Sequence, residues 1–271
     1  MNYSDLTATR PKISVLLPIK LITPFLEKSL DSLHNQTFTD YELIIACDES
    51  ISEKISEITK KFDNHVKIFP LRLSGIAFAL NTCINESSGD LLARWDSDDF
   101  SDTNRFEEQV KAFTNDNELD VVGTKCIIID ENNNKTNQVF KFFEDNSSIR
   151  KALKYRQPLL HPSLMIKKEI VLNVNGYLYG HTSEDHEMFI RIARNKAIKF
   201  KNLSSTCTYY RRHPGQLSDF SHLKTHFREV GSFMIIEFMR TKSPMYFIGL
   251  FANLPIFRKI RHLIRKLNFF N

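Results

Sequence analysis

The chain has 271 residues, 42% of them hydrophobic and 25% charged, with a formal net charge of +5. That balance is ordinary for a soluble globular protein and gives enough apolar material for one large α/β domain or two small ones. The four cysteines, Cys47, Cys83, Cys126 and Cys207, lie too far apart for a zinc or redox motif, so they read as reduced and mostly buried. Residues Met1 to Arg10 lack the apolar core of a signal peptide, and no stretch is long and uncharged enough to span a bilayer. The expected compartment is the cytoplasm.

Ile13 to Leu17 is a short apolar run and reads as a buried strand. Thr23 caps a helix with Pro24 at its first position, and Leu26, Leu30 and Leu33 then recur at helical spacing. Glu42 to Ala46 reads as a second strand, Ile51 to Phe62 as a helix, and Val66 to Phe69 as a third strand. Gly75 to Ser87 follows as a helix with Ile76, Leu80 and Ile84 on one face. Leu91 to Trp95 is the fourth strand. This alternation predicts a mostly parallel sheet covered on both faces. Ligands of such sheets sit at the carboxyl ends of the strands, where Asp48 and Asp96 both fall.

The fourth strand runs into Arg94-Trp95-Asp96-Ser97-Asp98-Asp99-Phe100, an apolar segment that surfaces into three carboxylates. Asp96 and Asp98, one residue apart on an extended chain, point to similar space and can share Mg²⁺ or Mn²⁺. The plainer reading is a solvated acidic turn capping a helix that starts near Thr103. Farther on, Phe106, Val110 and Phe113 mark a helix. Val121 to Asp130 and Val139 to Phe143 read as strands around an Asn-rich turn, and Leu164 to Ile166 and Thr206 to Tyr210 as short strands. Ser183 to Arg194 reads as a helix, with Met188, Phe189 and Ile192 facing inward and Glu184 and Asp185 in its first turn.

After Glu237 the chain has no acidic residue but carries Lys242, Arg258, Lys259, Arg261, Arg265 and Lys266. Ile256, Ile260, Leu263, Ile264 and Leu267 fall on one helical face, followed by Phe269 and Phe270. A basic amphipathic helix with aromatic flanks fits an anionic membrane surface better than nucleic acid. The same face also fits packing on the protein itself.

These residues taken in order resemble bacterial family-2 glycosyltransferases that build surface polysaccharides. The resemblance runs from about Ile13 to Ser218. It is carried by Ile13-Ser-Val-Leu-Leu-Pro18, the Asp96-x-Asp98 segment, Asn104-Arg105-Phe106, Asp120-Val-Val-Gly-Thr124, His161-Pro-Ser163, Glu184-Asp185, and Tyr210-Arg-Arg-His213 with Gln216 and Ser218. It implies a GT-A fold, Rossmann-like with a mostly parallel central sheet. Residues 1–218 would form the transferase, with 11–100 as the nucleotide-sugar half and 101–218 as the acceptor half. Residues 219–271 would form a helical, basic, amphipathic tail.

The resemblance also implies roles. Pro18, Asp48, Asn81, Arg94, Asp96 and Arg211 match the nucleotide site, with Asp48 accepting the ring N–H of a uracil and Arg211 neutralising the diphosphate. Asp96, Asp98 and His213 match the ligands of a Mn²⁺ or Mg²⁺ ion. Asp185 matches the catalytic base, and Glu184 a residue that positions sugar hydroxyls. The helix dipole favours ionised carboxylates at that position, which would keep Asp185 available as a base. The implied reaction is inverting transfer from a nucleotide sugar, a UDP-sugar above all, to a glycan or polyprenyl-diphosphate-linked glycan. The enzyme would sit peripherally on the inner face of the cell membrane.

Two departures stand out. Cys47-Asp48-Glu49 lacks the family's glycine after the second strand, and Ile19-Lys20 follows Pro18 in place of a small polar or aromatic pair. The alternative reading is a non-catalytic sugar-nucleotide binder or scaffold in a polysaccharide assembly. A nucleotidyltransferase would show a glycine-rich loop after the first strand, and residues 18–25 contain no glycine. A dehydrogenase would show Gly-x-Gly-x-x-Gly after a strand, and none follows.

Overall fold

A computed structural model describes residues 12–62, 66–72, 75–138, 140–178, 182–213 and 223–256. The first half alternates strand and helix: β1 Ile13–Ile19, α1 Leu26–His34, β2 Tyr41–Asp48, α2 Ser52–Thr59, β3 Val66–Leu71, α3 Ile76–Asn85 and β4 Leu91–Arg94. β1 pairs in parallel with β2 on one side and with β4 on the other, and β3 extends the parallel run beyond β2. The carboxyl ends of β2 and β4 therefore flank that of β1, which places Asp48 and the Asp96 loop at one edge of the sheet.

The second half is mixed. It comprises β5 Phe100–Ser101, α4 Arg105–Asn115, β6 Leu119–Ile129, α5 Asn146–Leu153, β7 Met165–Lys167, α6 Lys168–Asn173, α7 Glu184–Ile192 and β8 Lys199–Arg211. The eight-stranded sheet has the order β3-β2-β1-β4-β7-β6-β8-β5. β7 is antiparallel to both β4 and β6, β8 is parallel to β6, and β5 is antiparallel to β8. The parallel character predicted from the alternating pattern holds for the nucleotide half and gives way beyond β4.

Alternate residues of β1 enter different cores. Val15 and Leu17 pack with Leu26, Leu30 and Leu33 of α1, while Leu16 packs with Leu80 and Ile84 of α3. Burial on both faces is why these strands are unbroken apolar runs rather than alternating ones.

Several expected elements differ. Residues 140–143 form no strand; the chain after β6 makes only an isolated bridge between Ile129 and Lys135. The turn there is built by Asp130, whose Oδ1 accepts from the backbone N–H groups of Asn132 and Asn134 at 2.9 and 2.8 Å. β8 runs from Lys199 to Arg211 and so begins well before Thr206. All four cysteines are free, Cys47 and Cys83 buried and the other two half-buried.

Two further helices, α8 Leu223–Thr241 and α9 Pro244–Ala252, dock on α7. Val230, Met234 and Tyr246 pack against Ile190. Glu237 is buried between Arg194 and Arg240, at 2.6 Å from each. At its start, α8 touches the entry to α7: Glu229 accepts from the Thr182 N–H and hydroxyl at 3.0 Å, and His226 Nδ1 lies 2.6 Å from Ser183 Oγ. No helix among the described residues is long and apolar enough to cross a membrane. Of the amphipathic stripe expected in the tail, only Ile256 is described, and it is exposed; residues 257–271 lie outside the described part.

Candidate active site

The acidic loop leaves β4 through Trp95, whose ring is buried and whose Nε1–H donates to Ser29 Oγ at 2.9 Å. Ser29 in turn donates to the Asp96 carbonyl at 2.7 Å, so α1 fixes the backbone that carries the first carboxylate. Arg105 braces the strand end from the other side. Its buried guanidinium donates to the Arg94 carbonyl at 3.0 Å and lies over the Trp95 ring at 4.9 Å. Burial pulls the Arg105 pKa down to about 9.

Asp96, Asp98 and Asp99 bring one oxygen each within 4.8 Å of one another. The Asp99 Oδ1 accepts the Arg211 backbone N–H at 2.8 Å, and its Oδ2 is buried without a hydrogen-bond partner among the described residues. Burial first, then the neighbouring carboxylates, raises the pKa of Asp99 well above the ordinary value, and that of Asp96 as well. His213 closes the cluster, with Nε2 2.9 Å from Asp98 Oδ2 and its ring 5.3 Å from that of Phe25. Crowded carboxylate oxygens, one of them orphaned, with an imidazole at the rim form a donor set that suits a hard divalent cation. Asp96, Asp98 and His213, the three metal ligands expected from the resemblance, are thus neighbours, and Asp99 joins them.

Arg94 lies beneath this cluster, buried, with Nη2 2.5 Å from Asp96 Oδ1. Its charge also acts on Tyr177, Glu184 and Asp185. Arg94 thus lies between the acidic loop and the carboxylate pair at the start of α7 rather than out in the cleft.

Asp185 is half-buried. Its Oδ2 accepts from Gln157 Nε2 at 2.8 Å and its Oδ1 from the His186 backbone N–H at 2.6 Å. Glu184 is buried, with Oε1 3.8 Å from His161 Nδ1, and the other nitrogen of His161 lies 2.7 Å from the Tyr177 hydroxyl. Burial and then the adjacent Asp185 push the Glu184 pKa up to about 8. Burial raises Asp185 too, against the hydrogen bond from Gln157. Desolvation thus works against the helix dipole at this position, and at Glu184 it outweighs it. Burial and the Arg94 charge hold His161 well below its ordinary pKa, which makes it a neutral partner for the pair.

Two expected nucleotide contacts are corrected by what the side chains touch. Arg211 is 1% exposed. Its guanidinium donates to the carbonyls of Asp98 at 2.8 Å and Asp130 at 2.9 Å and to Asn133 Oδ1 at 2.7 Å, lying 4.2 Å over Phe25. It ties the acidic loop to the Asp130 turn rather than facing outward to a diphosphate. Asn81 forms a two-bond clasp with the backbone of Tyr177, donating to its carbonyl at 2.7 Å and accepting its N–H at 2.9 Å. Gly176 sits at φ 62°, and a Cβ there would meet Asn81 Oδ1 at 2.4 Å, so a glycine is needed on both counts.

Asp48 ends β2 and caps a 3-10 turn, accepting from the Ser50 N–H at 3.0 Å and hydroxyl at 2.6 Å, both on Oδ1. Its Oδ2 has no hydrogen-bond partner among the described residues. Pro18 is half-buried near the end of β1, opposite Ala46.

Sequence reasoning named His161 within a motif but gave it no role, and it gave none to Gln157 or Tyr177. Gly176 was the one signal for Tyr177. An isolated glutamine before a proline, such as Gln157, carries no signal of its own.

Residues 14–214 match Glycosyl transferase family 2. The chain belongs to this family. The O-antigen biosynthesis glycosyltransferase WbnJ of Escherichia coli is 32% identical over 241 residues, 88% of this chain and 92% of that protein. The UDP-Gal:alpha-D-GlcNAc-diphosphoundecaprenol beta-1,3-galactosyltransferase of Escherichia coli is 28% identical over 190 residues, 68% of this chain and 69% of that one. Two solved structures share the fold. The mannosyltransferase PcManGT from Pyrobaculum calidifontis, in complex with GDP-Man and Mn²⁺, superposes with a TM-score of 0.64 at 14% identity, covering 90% of this chain and 69% of that one. S. aureus TarS 1-349, in complex with UDP, gives 0.60 at 18% identity, with 83% of this chain and 64% of that one covered. The family-2 protein is a glycosyltransferase, and its fold is GT-A.

Proposed function

We propose that this family-2 enzyme transfers a sugar from a UDP-sugar to a lipid-linked glycan, with inversion at the anomeric carbon, in the synthesis of a surface polysaccharide. The observation that carries the reading is the convergence of the Asp96–Asp98–Asp99 loop and the Glu184–Asp185 pair on one buried cation, Arg94. A scaffold that only binds a nucleotide has no need of a second, desolvated carboxylate pair. The relatives support the substrate classes, since the printed names of two of them specify GlcNAc-diphosphoundecaprenol as acceptor.

Asp185 takes the proton of the acceptor hydroxyl. That oxygen attacks the anomeric carbon as the bond to the diphosphate oxygen breaks, and the electron pair leaves on the nucleoside diphosphate. An α-linked donor gives a β-linked product. Asp96 and Asp98, with His213 and Asp99 beside them, would hold Mn²⁺ or Mg²⁺, which when bound offsets the charge of the leaving diphosphate. Asp48 Oδ2 would accept a uracil N–H beside Pro18, and Glu184, whose pKa burial lifts to about 8, would donate to a sugar oxygen.

Residues 1–218 are assigned to the transferase, with 11–100 as its donor half and 101–218 as its acceptor half. Residues 219–271 are assigned to a C-terminal element that meets the anionic inner face of the cell membrane. Exposed Met239, Phe247, Ile248, Phe251 and Ile256 support that assignment, as does the ion-paired burial of Glu237, the last acid of the chain.

Replacing Asp185→Asn, which keeps the shape and removes the base, is expected to lower turnover by about 10²–10⁴-fold with donor binding intact. Binding is checked by calorimetry with UDP and Mn²⁺. Near-normal turnover would refute the base assignment.

A further inference from the structure

We propose that Gln157 is a positioning residue that holds Asp185 in the orientation and charge state its proton transfer requires. The inference rests on the assignment of Asp185 as base. Gln157 lies in the segment between α5 and the 3-10 turn His161–Ser163, far from Asp185 in sequence. Its Nε2 donates to Asp185 Oδ2 at 2.8 Å, while the His186 backbone N–H holds Oδ1 at 2.6 Å. Each carboxylate oxygen thus has one fixed donor and keeps a further lone pair for an incoming hydroxyl proton. His186 is itself anchored, Nε2 to the Leu153 carbonyl at 2.8 Å, so α5 and the segment after it supply both restraints.

The other end of the amide argues against a role in stability. Gln157 Oε1 is buried and has no hydrogen-bond partner among the described residues. An orphaned buried acceptor costs about 1–3 kcal/mol, more than a neutral hydrogen bond typically returns. An apolar side chain of the same shape would remove that cost, so the site gains from the glutamine through its N–H on Asp185. That donor favours the carboxylate form, in a setting where burial first and then the charges of Glu184 and Asp96 oppose ionisation of Asp185, and His186 and Arg94 favour it.

The test is Gln157→Leu in the full-length protein, assayed for nucleoside diphosphate release with Mn²⁺, a UDP-sugar and a GlcNAc-diphospholipid across pH 5 to 9. The expected result is a kcat about tenfold lower at neutral pH with donor KM within about twofold. The acid limb of the kcat profile should move up by about one pH unit. The melting temperature should hold or rise, which separates positioning from folding. Asp185→Asn and the double variant run in parallel, and the double variant should match Asp185→Asn alone. An unmoved pH profile and unchanged kcat in Gln157→Leu, with Asp185→Asn inactive, would overturn the inference and leave the base assignment standing. An active Asp185→Asn would overturn both.

Discussion

Glu184 and Asp185 open a helix whose backbone favours ionised carboxylates by about 0.3–1 kcal/mol. Burial and mutual repulsion push the other way and lift Glu184 to about 8 from 4.5. Between those values the folded chain holds a proton that the unfolded chain has lost. The stability linked to Glu184 is therefore complete below about pH 4.5 and lost as pH rises towards about 8. Glu184→Gln should thus leave stability at pH 4 unchanged and raise it at pH 8 by about 1–3 kcal/mol in metal-free buffer. Denaturant melts at the two pH values check this, and equal curves for both proteins at pH 8 would contradict it. The sequence placed these carboxylates correctly in a first helical turn, because capping and periodicity are local signals. Their charge state was not legible there, because the groups that set it, Arg94, Gln157 and His161, arrive from other elements.

The same contrast governs the elements. Apolar runs buried on both faces revealed β1, β2 and β4, a half-buried run revealed the edge strand β3, and helical spacing revealed α1, α3, α4 and α7. β5 has two residues and is held by Ser32 and by pairing to β8, so no local pattern marks it. Residues 140–143 belong to a run with strand composition but pair with no edge among the described residues, and composition without a partner does not make a strand. Arg211 and Asn81 were read as ligand contacts because charged and amide side chains near a nucleotide motif resemble ligand groups; Arg211 joins two loops and Asn81 ties α3 to the Tyr177 backbone. Asn81→Ala breaks the clasp on Tyr177 and is expected to cost about 1–3 kcal/mol of stability. Donor KM should stay within about twofold, because the side chain faces the Gly176 turn. A large rise in donor KM without loss of stability would instead place Asn81 at the nucleotide.

At the scale of the molecule, the parallel half gathers the carboxyl ends of β1, β2 and β4 at one edge, and the mixed half brings the start of α7 within the reach of Arg94 at the end of β4. α8 braces the entry to α7, and α8 and α9 leave apolar side chains exposed. If that face meets lipid, the pair Met239→Glu and Phe247→Glu should release the protein from anionic vesicles in a flotation assay while leaving its melting temperature unchanged. Undiminished flotation would remove these helices from the membrane contact. The central claim is sugar transfer dependent on a divalent ion at the Asp96–Asp98 loop. Its most direct test incubates the protein with a panel of UDP-sugars and a GlcNAc-diphospholipid, with Mn²⁺ or with EDTA, and follows UDP release together with the disaccharide product. The account predicts one β-linked product from one donor, lost with EDTA and lost in Asp98→Asn. Undiminished transfer in EDTA, or in Asp98→Asn, would contradict it.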